Sequence, residues 1–288
     1  MQQNMWVLPS QLYMVATPIG NLADMSNRAR DVLAQVDLIA AEDTRHTGQL
    51  LAALGIRKPM ISIHDHNELA RSAEVVTQLQ SGKSVAYVSD AGVPAISDPG
   101  ALLAAAAIEA GIVVVPIPGA SSVLAAIAAS GLDVRAGFVF LGFIPVANKG
   151  KNLWLTELGK QPRVSVFFEA PHRIMDTLIW LSDQFPKRKL VLAKELTKVY
   201  ERFIRGTTTQ VLVSMQSNKD WQRGEFVLLL APADKCNDID EQALSLLQVL
   251  NPLLAELPLS QAVKLTCAIT GQKKKVVYDL ALSLQNEI

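Results

Sequence analysis

The chain has four histidines, and each falls in a short polar cluster rather than on an apolar face: His46 in EDTRH, His64 and His66 in HDHNE, His172 in FFEAPHR. Imidazole, carboxylate and guanidinium groups set this close together suit proton transfer and phosphate contact. A second kind of stretch is built from small residues and prolines: TPIGN (Thr17–Asn21), SDAGVPAISDPG (Ser89–Gly100) and PIPGASS (Pro116–Ser122). Small residues let backbone approach a ligand closely. Asp90 adds an acid that suits a ribose or an amino-acid moiety, and an Asp bonding its own turn is the competing use. His64-x-His66 would place two imidazoles on one side of a strand. No further ligand is spaced to complete a zinc pattern, so no metal is expected. The chain also lacks GxGxxG after its first strand, GxxxxGK[ST] and GxSxG, which weakens dinucleotide binding, nucleotide hydrolysis and a serine-hydrolase elbow.

These clusters need elements to hold them, and the hydrophobic pattern supplies a candidate set. Apolar runs at Leu12–Ala16, Leu38–Ala41, Met60–Ile63, Ser84–Val88 and Ile112–Val115 read as strands. Helical patterns alternate with them: one capped by Ser26 with Ala29, Val32, Leu33 and Val36 on one face, then Thr44–Leu54 ended by Gly55, Glu68–Gln80 and Leu102–Ala110. This alternation predicts a mostly parallel sheet with helices on both faces, an α/β fold. Each cluster then falls at the carboxyl end of a strand, where open parallel sheets bind ligands.

A second unit follows the Ala-rich helix Ser122–Ser130. It has strands at Phe138–Leu141, Val164–Phe168, Leu190–Ala193, Glu201–Arg205 and Phe226–Leu230, and helices at Arg173–Gln184 and Thr208–Met215. The polar linker Ala233–Asp240 leads to a pair of short helices around Gly271, with Ser260 as the first cap. That pair is a helix-turn-helix-like unit or a plain helical hairpin. The expected division is 1–120, 121–233 and 240–288.

Composition narrows the setting. Half of the 288 residues are apolar, and Lys+Arg and Asp+Glu are both 27, so any nucleic-acid partner must be held by local patches. The basic patches are Arg28/Arg30, Lys149/Lys151, Lys187–Lys189 and Lys273–Lys275, the last opening the final helix. Two cysteines without a CxxC pattern fit a reducing compartment. No charged segment leads into an apolar run at the N-terminus, so a signal peptide is not expected. Ile112–Leu132 is uncharged and long enough to span a bilayer, but Pro116 and Pro118-Gly119 break it into strand, turn and buried helix.

The runs LYMVATPIGNLADMSNRA, AAEDTRHTGQLL, HDHNE, SDAGVPAISDPG, PIPGASS, FFEAPHRI, KELTKVYERFIRGT and RGEFVLLLAP occur in order over residues 12–232. Together they resemble the ribosomal RNA small subunit methyltransferase I group of the tetrapyrrole methylase (class III) superfamily. LPLSQAVKL and GQKKKVVYDLAL resemble that group's C-terminal helical domain. ATPIGN, EDTRHT and HDHNE set the chain apart from the cobalamin and siroheme branches, which carry a different first loop. Val93 departs from the Thr or Met more usual at its position.

The resemblance implies two α/β domains of the tetrapyrrole methylase type with S-adenosylmethionine in the cleft between them, plus a small helical domain. It implies 2′-O-methylation of a cytidine ribose in 16S rRNA, by a cytoplasmic homodimer without a membrane association. It implies that Ile19, Gly20, Ser89, Asp90, Gly92, Val93, Ser121, Ser122, Phe168, Glu169, Leu230 and Ala231 bind the cofactor. For the proton of the attacking hydroxyl, His64, His66, Asp43, Glu169 and Glu195 are open candidates, and Lys194 is another if buried. Arg45, Asn67, Lys273, Lys274 and Lys275 are the expected RNA contacts, with a salt bridge to Glu42 or Asp43 as the competing use of Arg45. The alternatives are methylation of a free porphyrinoid and a non-catalytic ribosome-assembly factor. HDHNE, EDTRH and the C-terminal unit count against the first, and the intact cofactor loops count against the second.

Overall fold

The structure, a computed structural model, describes residues 7–146, 148–233, 246 and 249–286. The chain divides into two compact units, Met1–Pro232 and Ala233–Ile288. The first holds two sheets.

The first sheet contains β1 (Gln11–Val15), β2 (Leu38–Ala41), β3 (Met60–Ser62), β4 (Val85–Val88) and β5 (Val113–Ile117), in the order β3-β2-β4-β1-β5. All its pairings are parallel. Side chains alternate between two cores, as strand geometry requires. Tyr13, Val15, Ile39 and Val88 pack with Val32, Leu33 and Leu51 of α1 (Asn27–Gln35) and α2 (Thr44–Ala53). Leu12, Ala40, Val85 and Tyr87 pack with Val75, Leu79, Leu103 and Ala107 of α3 (Glu68–Gln80) and α4 (Ala101–Glu109). A sheet covered on both faces explains why its strands read as unbroken apolar runs. Ser26 caps α1 as its position implied, its hydroxyl accepting the Ala29 N–H at 3.1 Å.

The second sheet differs in kind. Its strands β6 (Phe138–Phe143), β7 (Val164–Glu169), β8 (Lys189–Lys194), β9 (Arg202–Thr207) and β10 (Phe226–Leu230) run in the order β6-β7-β10-β8-β9. Only β6 and β7 pair in parallel; β10 runs antiparallel to both β7 and β8, and β9 is antiparallel to β8. One face is covered by α5 (Ser122–Ser130), whose Val123 and Ala126 pack on Val166, Ala193 and Val227. Ile19, from the loop after β1, joins this same core. The other face carries α6 (Asn148–Lys160), α7 (Ile174–Gln184) and α8 (Thr208–Ser217). The hydrophobic pattern does not announce α6, because it buries little beyond Trp154 and Leu158.

In the C-terminal unit, α9 (Leu259–Thr270) and α10 (Lys274–Asn286) are joined at Gly271, whose φ of +69° forms a left-handed cap. Ala262, Val263, Val277 and Ala281 form their shared core with Leu246 and Leu250. Ser260 is not the cap: Pro258 holds that position and Ser260 lies inside the helix. Cys236, most of the expected linker and the start of the expected third domain lie outside the described residues, as does the side chain of Lys149.

One buried carboxylate organises the first sheet's loops. Helix α4 starts at Gly100, which has no side chain to cap it. The Oε1 atom of Glu68, on α3, accepts the N–H groups of Gly100 (2.8 Å), Leu102 (3.0 Å) and Leu103 (3.3 Å) instead. An anion at a helix N-terminus satisfies orphan donors and meets the positive end of the dipole. Glu68→Ala strands these amides and is expected to lower stability by about 2–3 kcal/mol. Glu68→Gln, which keeps a carbonyl acceptor, loses less. Urea unfolding of the two variants measures the difference.

Candidate active site

A cavity of about 410 Å³ opens where the loops of the first sheet meet α5 and the second sheet. Its shape is set by backbone. Thr17 and Gly92 exchange both hydrogen bonds, at 2.9 and 3.2 Å, which ties the loop after β1 to the loop after β4. Gly92 has φ +79°, and Ala95 and Ser97 also have positive φ, at +69° and +64°. Such angles cost L-residues energy and persist where surrounding contacts dictate them. The Ala95 N–H to Pro99 carbonyl bond, 3.1 Å, closes the loop on itself, and Glu68 anchors its end.

The far wall comes from the second sheet. Phe168 of β7 lines the cavity and meets Phe140 and Phe143 edge-on, with centroids 5.0 and 5.3 Å away. Phe226 and Val227 of β10 and Leu196 after β8 complete it. Ser121 and Ser122 line it from the start of α5, where Ser121 caps the helix by accepting the Leu124 N–H. The charged residues of the lining are Asp98, Glu169 and Glu225; among the described residues no Lys, Arg or His lines it. The cavity is an apolar pocket with an acidic edge, suited to a ligand that is flat at one end and cationic at the other.

The family model for tetrapyrrole (corrin/porphyrin) methylases matches residues 11–212, and that for the RsmI C-terminal HTH domain matches residues 240–285. The chain is 44% identical to ribosomal RNA small subunit methyltransferase I of Neisseria meningitidis serogroup B, over 98% of this chain and 96% of that protein. It is 42% identical to the protein of that name from Pseudomonas aeruginosa, over 96% and 98%. The chain belongs to the ribosomal RNA small subunit methyltransferase I family of the tetrapyrrole methylases. Solved structures with the same fold include uroporphyrin-III C-methyltransferase from Thermus thermophilus complexed with S-adenosylhomocysteine (TM-score 0.54, 16% identity, 77% of this chain and 97% of that one). Another is diphthine synthase (TM-score 0.58, 16% identity, 77% and 90%).

Within this methyltransferase, Ile19, Gly92, Val93, Ser121, Ser122, Phe168 and Glu169 line the cavity. Gly20 is exposed and does not line the cavity; a Cβ there would sit 2.5 Å from Cγ of Lys198. Ser89 and Asp90 lie beneath the loop: Ser89 is buried, and Asp90 accepts the Asp43 N–H while its own N–H bonds to Glu42. Leu230 and Ala231 do not line the cavity. Because β10 is antiparallel, its first residues reach the cavity, while Leu230 pairs with Ser165 and Leu190 at the other end. Phe226 and Val227 line the cavity from this strand instead, and only the strand's direction, invisible in its composition, would have shown it.

The expected bases fare differently. His64, His66, Asp43, Lys194 and Glu195 do not line the cavity. His64 is braced by Asn67, whose amide oxygen accepts the His64 backbone N–H at 2.9 Å and whose amide nitrogen meets Nε2 at 3.0 Å. Asn67 is thereby engaged inside the chain rather than presented to a partner. The Arg45 guanidinium, hydrogen-bonded to Asp43 at 2.7 Å, holds that carboxyl well below the usual range and so weakens it as a base. This ion pair is the competing use foreseen for Arg45, which is still 89% exposed. Lys194 is buried on the face of β8 opposite that of Ala193, which does line the cavity. Burial pulls Glu195 upward, but the Glu225 N–H and Lys198 more than offset it and leave Glu195 below its ordinary value. Arg188, within the Lys187–Lys189 patch, is buried and donates to the Ala231 and Leu158 carbonyls at 2.6 and 2.8 Å, so it is a strut.

Glu169 is buried and saturated. Its oxygens accept the Ala170 N–H (2.8 Å), the Thr177 hydroxyl (2.6 Å) and the Arg173 guanidinium (3.0 and 3.2 Å). No lone pair is left well placed for a substrate proton, so Glu169 holds the end of β7 against α7 instead. Glu169→Ala leaves Arg173 and Thr177 without their partner. It is expected to cost about 3 kcal/mol, the low end for breaking a buried pair because Arg173 is partly exposed. Chemical denaturation tests this, and a variant as stable as the wild type would show that the pair is not structural.

Proposed function

We propose that this chain transfers the methyl group of S-adenosylmethionine to the ribose 2′-oxygen of a cytidine in 16S rRNA of the small ribosomal subunit. The observation that carries the reading is the cavity: an aromatic wall, two hydroxyl-bearing residues at a helix start and carboxylates along one edge. Its volume is in the range of small-molecule sites. S-Adenosylmethionine carries an aromatic base at one end and ammonium and sulfonium charges at the other, which fits this distribution. Phe168 and Phe143 suit the adenine, and the α5 start with Ser121 and Ser122 suits the carboxylate. The loops at Ile19 and Gly92–Val93 supply close backbone, while Gly20, Ser89 and Asp90 support them. When bound, the cofactor supplies a methyl group already activated by positive sulfur. The protein has to align the incoming hydroxyl and exclude water, and alignment alone is worth about 7 kcal/mol or more.

The relatives named for ribosomal RNA support an RNA substrate. With a net charge of zero, phosphate contacts have to be local. Lys273, Lys274 and Lys275 are exposed at the start of α10. Cations at a helix N-terminus oppose the dipole, so their placement does not serve the helix and suits an external anion. Arg45, exposed on one side of its pair with Asp43, is a second contact. A homodimer in the cytoplasm, with working domains at 1–120, 121–233 and 240–288, completes the reading. Among the described residues, no helix is long and apolar enough to cross a membrane.

Small subunits purified from cells lacking this protein, incubated with it and labelled S-adenosylmethionine, are expected to carry label in an alkali-resistant dinucleotide. Label on a porphyrinoid instead, or cofactor binding without transfer to RNA, overturns the assignment. Replacing Lys273, Lys274 and Lys275 together by Ala is expected to flatten the plot of log affinity against log salt by about 2–3 units for the RNA particle. Cofactor affinity should not change, which equilibrium titration checks.

A further inference from the structure

We propose that the β8–β9 hairpin grips the RNA strand next to the target nucleotide, with Tyr200 stacking on a neighbouring base and Lys194 and Arg202 meeting a phosphate. The inference rests on the methyltransfer reading above and adds a contact which that reading does not include. Two consecutive turns make up the hairpin's tip. The Lys198 N–H bonds to the Glu195 carbonyl at 3.1 Å, and the Glu201 N–H bonds to the Lys198 carbonyl at 3.0 Å. The first turn buries Leu196, which lines the cavity. The second carries Val199 and Tyr200 at its two central positions, where they are 93% and 76% exposed. Turns favour Gly, Pro, Asn, Asp and Ser, so a β-branched and an aromatic residue there do nothing for the turn itself. Tyr200 makes no hydrogen bond or ring contact with any described residue. It is a bare aromatic ring four residues after the cavity wall at Leu196. Proteins that hold single-stranded RNA offer such rings to unstacked bases.

The tip is held in one shape. Glu195 and Thr197 have φ +50° and +67°, angles that cost L-residues energy and persist where contacts dictate them. The contacts are on both sides of the tip. The Glu195 N–H bonds to the Glu225 carbonyl at 3.0 Å, and the Glu201 carboxylate accepts the Thr197 N–H at 2.7 Å. The Lys198 ammonium bridges Glu195 and Glu225. Glu225 itself lines the cavity, so the turn that presents Tyr200 is tied to the cavity's edge. A ring presented by a fixed backbone loses little freedom when a base stacks on it.

The foot of the hairpin carries charge. Lys194 and Arg202 stand directly opposite each other as the last pair of the β8–β9 register. Like charges so placed destabilise a sheet. Among the described residues neither forms an ion pair with a carboxylate. Lys194 is only 6% exposed and makes no hydrogen bond to any described residue. Glu195 senses its charge, but the Glu195 carboxylate is engaged by the Lys198 ammonium and the Glu225 N–H. Arg202 lies over the Trp221 ring, 4.3 Å from its centroid, which positions the guanidinium without neutralising it. A buried lysine is costly unless an anion meets it. Two uncompensated cations at the foot of an exposed aromatic match the alternation of phosphate and base along a single strand.

The test uses the full-length protein and purified small subunits. Tyr200→Ala is expected to weaken binding of the subunits about 5- to 150-fold, with S-adenosylhomocysteine affinity unchanged. Tyr200→Trp should bind as the wild type does, whereas Tyr200→Leu, apolar but without a ring face, should bind as poorly as Tyr200→Ala. Arg202→Gln and Lys194→Met should each flatten the plot of log affinity against log salt by about 1 unit, and Tyr200→Ala should leave that slope as it is. A benzophenone-bearing phenylalanine analogue placed at position 200 should cross-link to 16S rRNA. Wild-type affinity in Tyr200→Ala, or equal affinity of the Leu and Trp variants, overturns the proposal. So does an unchanged salt slope in both Arg202→Gln and Lys194→Met. Cross-linking only to a second copy of this chain or to a ribosomal protein overturns it as well. These outcomes strike this proposal alone when the wild type still transfers label from S-adenosylmethionine to the subunits. Absence of that transfer overturns the enclosing reading, and this proposal with it.

Discussion

The reciprocal hydrogen bonds between Thr17 and Gly92 hold the site together. They join two loops that each leave a central strand of the first sheet, β1 and β4. Backbone bonds of this kind fix main-chain position without committing side chains. Gly92 can take its φ of +79° without steric cost, and a Cβ there would press on Ile19 at 3.3 Å. Once the two loops are joined, Ile19 is directed into the second sheet's core and Val93 toward the cavity. Glu68 secures the other end of the 89–100 loop, so its strained residues lie between two anchors.

A second tie links the two sheets at the rim. Lys198 bridges Glu195 and Glu225 at 3.1 Å each, and its stem packs over Gly20. Gly224 leaves room for the Glu195 carboxylate, since a Cβ there would lie 2.5 Å from Oε1. Two glycines on either side of one ion pair thus bring the first loop against the loop after β8. The pair is partly exposed, so its net energetic worth is modest. Its effect is geometric: it fixes which backbone faces the cavity.

The charges are sorted by place. Acids gather at the strand ends of the first sheet and along the cavity edge, while lysines at the start of α10 are left open to solvent. A neutral total of 27 basic and 27 acidic residues conceals these local patches. Cationic cofactor and polyanionic RNA make opposite electrostatic demands, which a chain of zero net charge meets through local patches.

Much of the first sheet is legible in the sequence. Strands buried on both faces must be apolar throughout, and helices between them must carry a 3.6-residue stripe, so β1–β5 and α1–α5 declare themselves by composition. The loops declare themselves too, because positive φ and close approach call for glycine and small residues. Other features depend on partners distant in the chain. The antiparallel course of β10 places Phe226 and Val227, not Leu230 and Ala231, at the cavity, since strand direction leaves no trace in a run such as FVLLL. Glu169 and Asn67 look like free reactive groups until Arg173, Thr177 and His64 are seen to engage them. Asp98, plain in SDAGVPAISDPG, gains its place only when the loop folds back and the second sheet closes the cavity beside it. Period and residue type set which elements form and where the chain must bend. Which groups are satisfied and which remain free is set by contacts between distant segments, and only the tertiary structure decides those.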